Sequence, residues 1–251
     1  PQVHFEGVPW VIFEKDAGYL LARRACEAVL SGFLAEGGEY LERAVEAPVI
    51  QGGGLGSVKL SDGPVLKAEV FVFACGPWLG QVFPDLLGNV IRPTRQELFY
   101  FGTPAGNRVF SEGEMPVWID NGEKLFYGIP GNQWRGFKLG DDTRGPDFDP
   151  TSGDRRATAA CIETARKYMA FRFPGLANAP LVESRVCQYE QAPDANFVIG
   201  RHPRAANLWI LGGGSGHGFK HGPALGEMMS EVVLQEKTPP LIFDLSRFAK
   251  T

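Results

Sequence analysis

The stretch from Leu208 to Leu234, LWILGGGSGHGFKHGPALGEMMSEVVL, constrains the fold more than any other part of the chain. Leu208 to Leu211 is an apolar run that predicts a buried strand. A glycine-dense turn follows, from Gly212 through Gly213, Gly214, Ser215, Gly216 and His217 to Gly218. Leu225, Met228, Met229, Val232 and Val233 then recur at helical spacing. A strand, a glycine turn and a helix start make an anion-receiving site, because the turn lets another molecule approach the backbone and the helix start offers unpaired N–H groups. His217 and Lys220 are the side chains at that start able to do chemistry. The dinucleotide fingerprint GxGxxG normally opens a βαβ unit and is followed about 20 residues later by an acidic residue. Only a short tail follows here, so that reading of the turn is not supported.

A length of 251 residues with 44% hydrophobic content suits one large domain or two small ones. The formal charge of −4 argues against a nucleic-acid partner. No apolar run reaches 18 residues, so no membrane span is expected, and the first residues lack the basic and apolar regions of a signal peptide. Cys26, Cys75, Cys161 and Cys187 are widely spaced without a CxxC pair, which predicts no metal site. Cys26 and Cys161 fall in helical patterns and are expected to pack as small apolar groups. A reduced, cytoplasmic protein is the simplest reading.

Leu20, Leu21, Cys26, Val29, Leu30 and Phe33 mark a helix over 18–37 that ends at Gly37-Gly38. Short strands are expected at 40–45 and 48–50. Residues 47–66 read as a hairpin, with Gly52, Gly53, Gly54 and Gly56 as turn residues. The run to Ala74 predicts a central strand entering the tight turn Cys75-Gly76-Pro77-Trp78. Strands at 94–101, 116–120, 124–129 and 135–140, separated by Asn121-Gly122 and Gly131-Asn132, predict an antiparallel sheet. A helix over 153–171 follows, with Asp154 as its cap and Ala157, Ala160, Cys161, Thr164, Ala165 and Tyr168 on one side. The expected class is α/β plus α+β. Residues 1–90 and 181–251 would form one discontinuous domain, and 91–180 an inserted antiparallel-sheet domain.

Four segments in order carry a resemblance: FVFACGPW (71–78), LFYGIPGNQWRGFKLG (125–140), SRVCQYEQAPDANFVIGRHP (184–203) and GGGSGHGFKHGPALGE (212–227). Together they resemble the monomeric sarcosine oxidase family within the D-amino-acid-oxidase-like FAD flavoproteins. The family's N-terminal GxGxxG unit, which binds the ADP half of FAD, has no counterpart here. The chain is therefore similar to the C-terminal two-thirds of such an enzyme, an FAD-binding domain interleaved with a substrate domain.

The resemblance implies FAD as cofactor, bonded covalently through Cys187. A thiolate needs a positive neighbourhood, and Arg185 lies two residues away on the same strand face. The resemblance also implies that Lys138 faces the flavin and assists reaction with O2, as a fixed ammonium would stabilise superoxide. It further implies that Tyr127 lines the substrate cavity and that Lys220 pairs with a substrate carboxylate. His217 is expected to shape the turn. Gly76 and Trp78 belong to the turn near the FAD pyrophosphate, and Gly213, Gly214, Ser215, Gly216 and Gly218 present N–H groups to the ring. Sarcosine-oxidising members carry a histidine four residues after the active-site lysine; Lys138 is followed here by Leu139-Gly140-Asp141-Asp142. An acid in that place would attract a cationic substrate group or repel a carboxylate.

The implied activity is oxidation of the C–N bond of a small amino acid or secondary amine, releasing imine and H2O2. Two alternatives stand beside it. One is a non-catalytic fragment or subunit, with another chain supplying the missing FAD-binding segment. The other is a dehydrogenase of the same superfamily passing electrons to a quinone or dye.

Overall fold

Apolar residues at alternate positions decide where the strands run, and glycine-bearing turns decide where they stop. The computed structural model describes residues 2–234 and 237–248. In chain order the elements are helix α1 (Ala22–Ala35), strands β1 (Val58–Lys59), β2 (Val65–Leu66) and β3 (Phe71–Phe73), and short helices α2 (Leu79–Val82) and α3 (Pro84–Leu87). Strands β4 (Arg92–Phe101), β5 (Trp118–Asn121), β6 (Leu125–Ile129) and β7 (Phe137–Asp141) come next, then helix α4 (Ala159–Arg172). Strands β8 (Leu181–Gln191), β9 (Val198–Arg201) and β10 (Leu208–Gly212) lead to helix α5 (Gly222–Val233).

The contacts divide the chain into two units. The first holds residues 1–19, 95–146 and 151–187; the second holds 20–94, 147–150 and 188–251.

In the first unit, β5, β6, β7, β4 and β8 make a five-stranded sheet in that order. The β5–β6–β7 meander and the β7–β4 pairing are antiparallel. One face carries Phe99, Phe101, Phe126, Phe137 and Leu139 into a core completed by Ala165 and Met169 of α4. Thr158 caps α4, accepting the Cys161 N–H at 3.2 Å. Asp154, the expected cap, instead accepts the backbone N–H of Arg156. The helix starts later than its sequence pattern suggests, and its buried positions are Ala165, Met169 and Arg172.

In the second unit, β10 pairs parallel with β3 and antiparallel with β9. Leu208 and Ile210 are fully buried in a core with Phe71, Phe73, Leu79, Leu87 and Val198. Strand β3, expected to be central, lies at the edge of this three-stranded sheet. The hairpin within 47–66 reduces to the β1–β2 pair, and Val45 makes only a single bridge to Leu60. No strand forms at 40–45 or 48–50.

Helix α1 forms as its spacing predicts but buries none of its residues; Val29 is 72% exposed and Phe33 49%. Cys26 and Cys161 are exposed, contrary to the expectation that they pack inside. No helix among the described residues is long and apolar enough to cross a membrane, and no cluster of potential metal ligands occurs among them.

Candidate active site

The first unit's sheet has a polar face opposite its aromatic core. On β7, Phe137 and Leu139 enter the core, so Lys138 between them points the other way. Its Nζ lies 5.2 Å from the centre of the Tyr127 ring. Register explains the arrangement: Lys138 stands opposite Ile129 and Tyr100, and Tyr127 stands opposite Gly140. A Cβ on Gly140 would come within 2.6 Å of the Tyr127 ring, so glycine there gives the phenol its place. The Arg135 guanidinium covers Tyr100 at 4.5 Å and meets Glu183 at 3.5 Å. Arg185 hydrogen-bonds Glu183.

Burial lowers the pKa of Lys138, with Arg135 and Arg185 adding repulsion and Cys187 opposing them. Burial likewise raises the pKa of the Cys187 thiol, while Lys138, Arg185 and Arg155 pull it down. Three cations thus act on the thiol, and desolvation outweighs them. Asp141 is engaged elsewhere, with Lys124 at 3.6 Å and the Thr143 N–H at 2.9 Å.

In the second unit, β10 delivers the chain into the glycine turn. Gly213 (φ +74°), Ser215 (φ +45°) and Gly216 (φ +87°) adopt left-handed backbone. His217 ends the turn, and a 3-10 turn over Gly218–His221 separates it from α5. Lys220 thus lies in the 3-10 turn, with its Nζ donating to the His217 carbonyl at 3.3 Å. The His217 Nε2 lies 3.0 Å from the Ala195 carbonyl, and both His217 and His221 pack edgewise on Phe197. These contacts hold His217 as a piece of the turn.

The turn's N–H groups are not all free. Gly214 donates to the Glu190 carboxyl at 3.0 Å, the Gly213 N–H faces the same carboxyl, and Ser215 donates to the Glu190 carbonyl at 3.2 Å. At the C-terminal end of β3, Gly76 (φ +53°) has nothing within 4 Å where a Cβ would stand, and Trp78 follows in a 3-10 turn, 38% exposed. Ligands of α/β sheets bind beyond the carboxyl ends of parallel strands, and this open backbone fits a nucleotide approaching there.

The sequence reading missed Glu190, Arg135, Arg155 and Tyr100. Period two marks Tyr100 as facing away from the aromatic core, but Glu190 and Arg155 reach their partners only through the fold.

Residues 1–232 match the family model described as FAD dependent oxidoreductase. The chain belongs to this family. It is 29% identical over 246 residues to the monomeric sarcosine oxidase of Bacillus sp. (strain NS-129), covering 95% of this chain and 62% of that protein. The N-methyl-L-tryptophan oxidase of Salmonella heidelberg is 26% identical, with 94% of this chain and 62% of that protein covered. The chain thus spans about three-fifths of the length of these relatives. Among solved structures, Amadoriase I, a fructosyl amine:oxygen oxidoreductase from Aspergillus fumigatus, superposes with a TM-score of 0.77 at 21% identity, covering 91% of this chain and 55% of that one. The L-proline dehydrogenase of P. horikoshii gives 0.73 at 24% identity, covering 90% and 59%. These likenesses establish a shared fold.

Proposed function

We propose that the protein oxidises the C–N bond of a small amino acid or secondary amine with FAD as electron acceptor and O2 as reoxidant, giving an imine and H2O2. The observation that carries this reading is the half-buried Lys138 beside Cys187 on the polar face of the first unit's sheet, in a chain of the FAD dependent oxidoreductase family. Residues 1–90 and 181–251 would hold the cofactor and 91–180 the substrate. FAD, when bound, supplies the two-electron acceptor. Cys187 would be its covalent attachment point. Gly76, Trp78, Gly213, Gly214, Ser215, Gly216 and Gly218 would bound its site, with Gly216 and Gly218 offering N–H groups.

Lys138 holds a cation in a partly desolvated place, where it stabilises negative charge developing on oxygen more than water would. Tyr127 fixes the Lys138 ammonium and offers an aromatic wall to the substrate. Lys220, exposed and without a carboxylate partner among the described residues, would take the substrate carboxylate. The amine must be neutral, since a protonated nitrogen has no lone pair to donate.

A visible spectrum of the purified protein tests the cofactor: flavin absorbance that survives acid precipitation supports the Cys187 bond, and a colourless protein rejects catalysis by this chain. Oxygen uptake with a panel of N-methyl amino acids tests the reaction. Turnover with a dye but without H2O2 would favour a dehydrogenase.

A second observation favours a protein in which a further segment covers part of this chain. Helix α1 leaves Val29, Phe33 and Leu34 exposed on its apolar side. A GxGxxG-bearing segment, in the same polypeptide or a partner chain, would cover it. Co-expression with that segment of a relative should slow hydrogen exchange along α1; unchanged exchange rejects the idea.

A further inference from the structure

The geometry points to Glu190 as a positioning residue that fills the anion-receiving N–H groups of the glycine turn from within the protein, so that the turn rejects phosphate and meets the flavin ring with its remaining donors. The second half of this statement rests on the flavin reading above; the first half does not.

Glu190 sits near the end of β8, three residues past Cys187 and so on the opposite face of the strand. Its Oε1 accepts the Gly214 N–H at 3.0 Å, and the Gly213 N–H faces the same carboxyl. Its backbone carbonyl accepts the Ser215 N–H at 3.2 Å. Ser215 Oγ then ties the turn down, accepting the Ala192 N–H and donating to the Gly213 carbonyl, each at 3.1 Å. The carboxyl lies flush against the turn. A Cβ on Gly212 would stand 3.0 Å from Oε2, and one on Gly214 would stand 2.9 Å from Oε1. The close approach of Glu190 therefore accounts for Gly214, a glycine that the motif alone would assign to a bound ligand; at Gly212 a Cβ would run into the Leu79 side chain first.

Successive backbone N–H groups in a glycine turn are the usual cradle of a phosphate. Here an internal carboxyl already accepts them. Oε2 is shielded from water and finds no hydrogen-bond partner among the described residues. A phosphate at Gly213 and Gly214 would have to displace Glu190 and lie against it. The N–H groups of Gly216 and Gly218 lie beyond this obstruction. They suit the uncharged carbonyl edge of a ring, which needs single donors and no anion cradle. Glu190 thus selects which end of a nucleotide cofactor this turn can hold.

The test uses inorganic phosphate as the probe, with chloride holding ionic strength constant. Removing the carboxyl in Glu190→Ala opens the cradle, so phosphate several-fold above its Kd should raise the variant's melting temperature by about 3 °C. Wild type and Glu190→Gln, which keeps an acceptor oxygen in place, should not respond. A folded alanine variant indifferent to phosphate, or a wild type that responds equally, overturns the proposal. Should Glu190→Ala fail to fold, hydrogen exchange in the wild type decides: the Gly214 amide must exchange more slowly than that of Gly216, and equal rates overturn it. A protein that shows the phosphate response yet binds no flavin upholds the role of Glu190 and removes the flavin reading.

Discussion

Gly213→Ala probes whether the turn's shape is imposed by the backbone packed beneath it. Gly213 has φ +74°, a region that costs a residue with a Cβ about 1–2 kcal/mol. A Cβ there would stand 2.8 Å from the Asn196 carbonyl oxygen and 3.0 Å from both the Val198 nitrogen and its Cγ2. Two of those three atoms are backbone leading into β9, which cannot swing aside as a side-chain tip can. Overpacking of this kind adds about 1–3 kcal/mol. The expected loss is therefore about 2–5 kcal/mol, or about 4–20 °C in melting temperature at this chain length. Gly218→Ala is the matched control. Its φ is not positive, and its Cβ would meet only Phe197 Cε1 at an ordinary 3.5 Å. That variant should stay within about 1 kcal/mol of wild type. Far-UV circular dichroism melts of the three proteins provide the measurement. Equal losses in the two variants would refute the argument, because conformation and contact would then not decide the cost.

Phe137 is fully buried between Trp118, Phe110 and Phe173, so Phe137→Ala should cost about 3–5 kcal/mol in denaturant unfolding; a loss below 1 kcal/mol would contradict that packing. Lys138→Met removes the first of three cations that pull the Cys187 pKa down, so alkylation of Cys187 should require higher pH; an unmoved profile would mean the two side chains are not coupled. In flavin-loaded protein the same variant should slow reoxidation by O2 more than reduction by substrate, and equal slowing would reject the oxygen role. Burial raises the Glu190 pKa above the ordinary 4.5. Folded protein then binds the proton more tightly than unfolded, so stability is greatest below the ordinary value and falls as pH rises through the interval up to the raised one. The neighbouring Cys75 thiol, also raised, titrates from 9.0 upward and does not overlap. Glu190→Gln should lack the acid-range fall; identical pH profiles would discount the burial of the carboxyl.

The fold was legible where periodicity and turn residues agree. Strands β4 to β7 lie within a few residues of their expected positions, because Asn121-Gly122 and the Gly131-Asn132 turn punctuate runs with alternate aromatic residues. Helix α4 was legible as a helix but not in its start. Asp154 and Thr158 are both good caps, and only the fold reveals that the Asp154 carboxylate serves Arg156 instead. Burial was the weakest inference. The spacing of Val29 and Phe33 predicts an inward face, and that face stays exposed, because periodicity marks a surface that needs covering and says nothing of what covers it.

The polar site shows the same limit at closer range. Lys138 and Tyr127 could be named from sequence through the family resemblance, and strand alternation puts them opposite the aromatic core. The coupling of Lys138 to Cys187 crosses β4 and depends on sheet order, which no local pattern encodes. The glycine turn is the sharper case. GGGSGHG reads as a set of donors awaiting an anion, yet the anion-type partner is a glutamate 24 residues upstream in the same chain. Glycines required by that internal carboxyl and glycines required by an external phosphate leave the same trace in sequence. The two differ only in which acceptor oxygen lies 3.0 Å from the Gly214 nitrogen, and here it belongs to Glu190. A glycine-rich turn therefore shows that something approaches the backbone closely, and the identity of the approaching group must come from the structure around it.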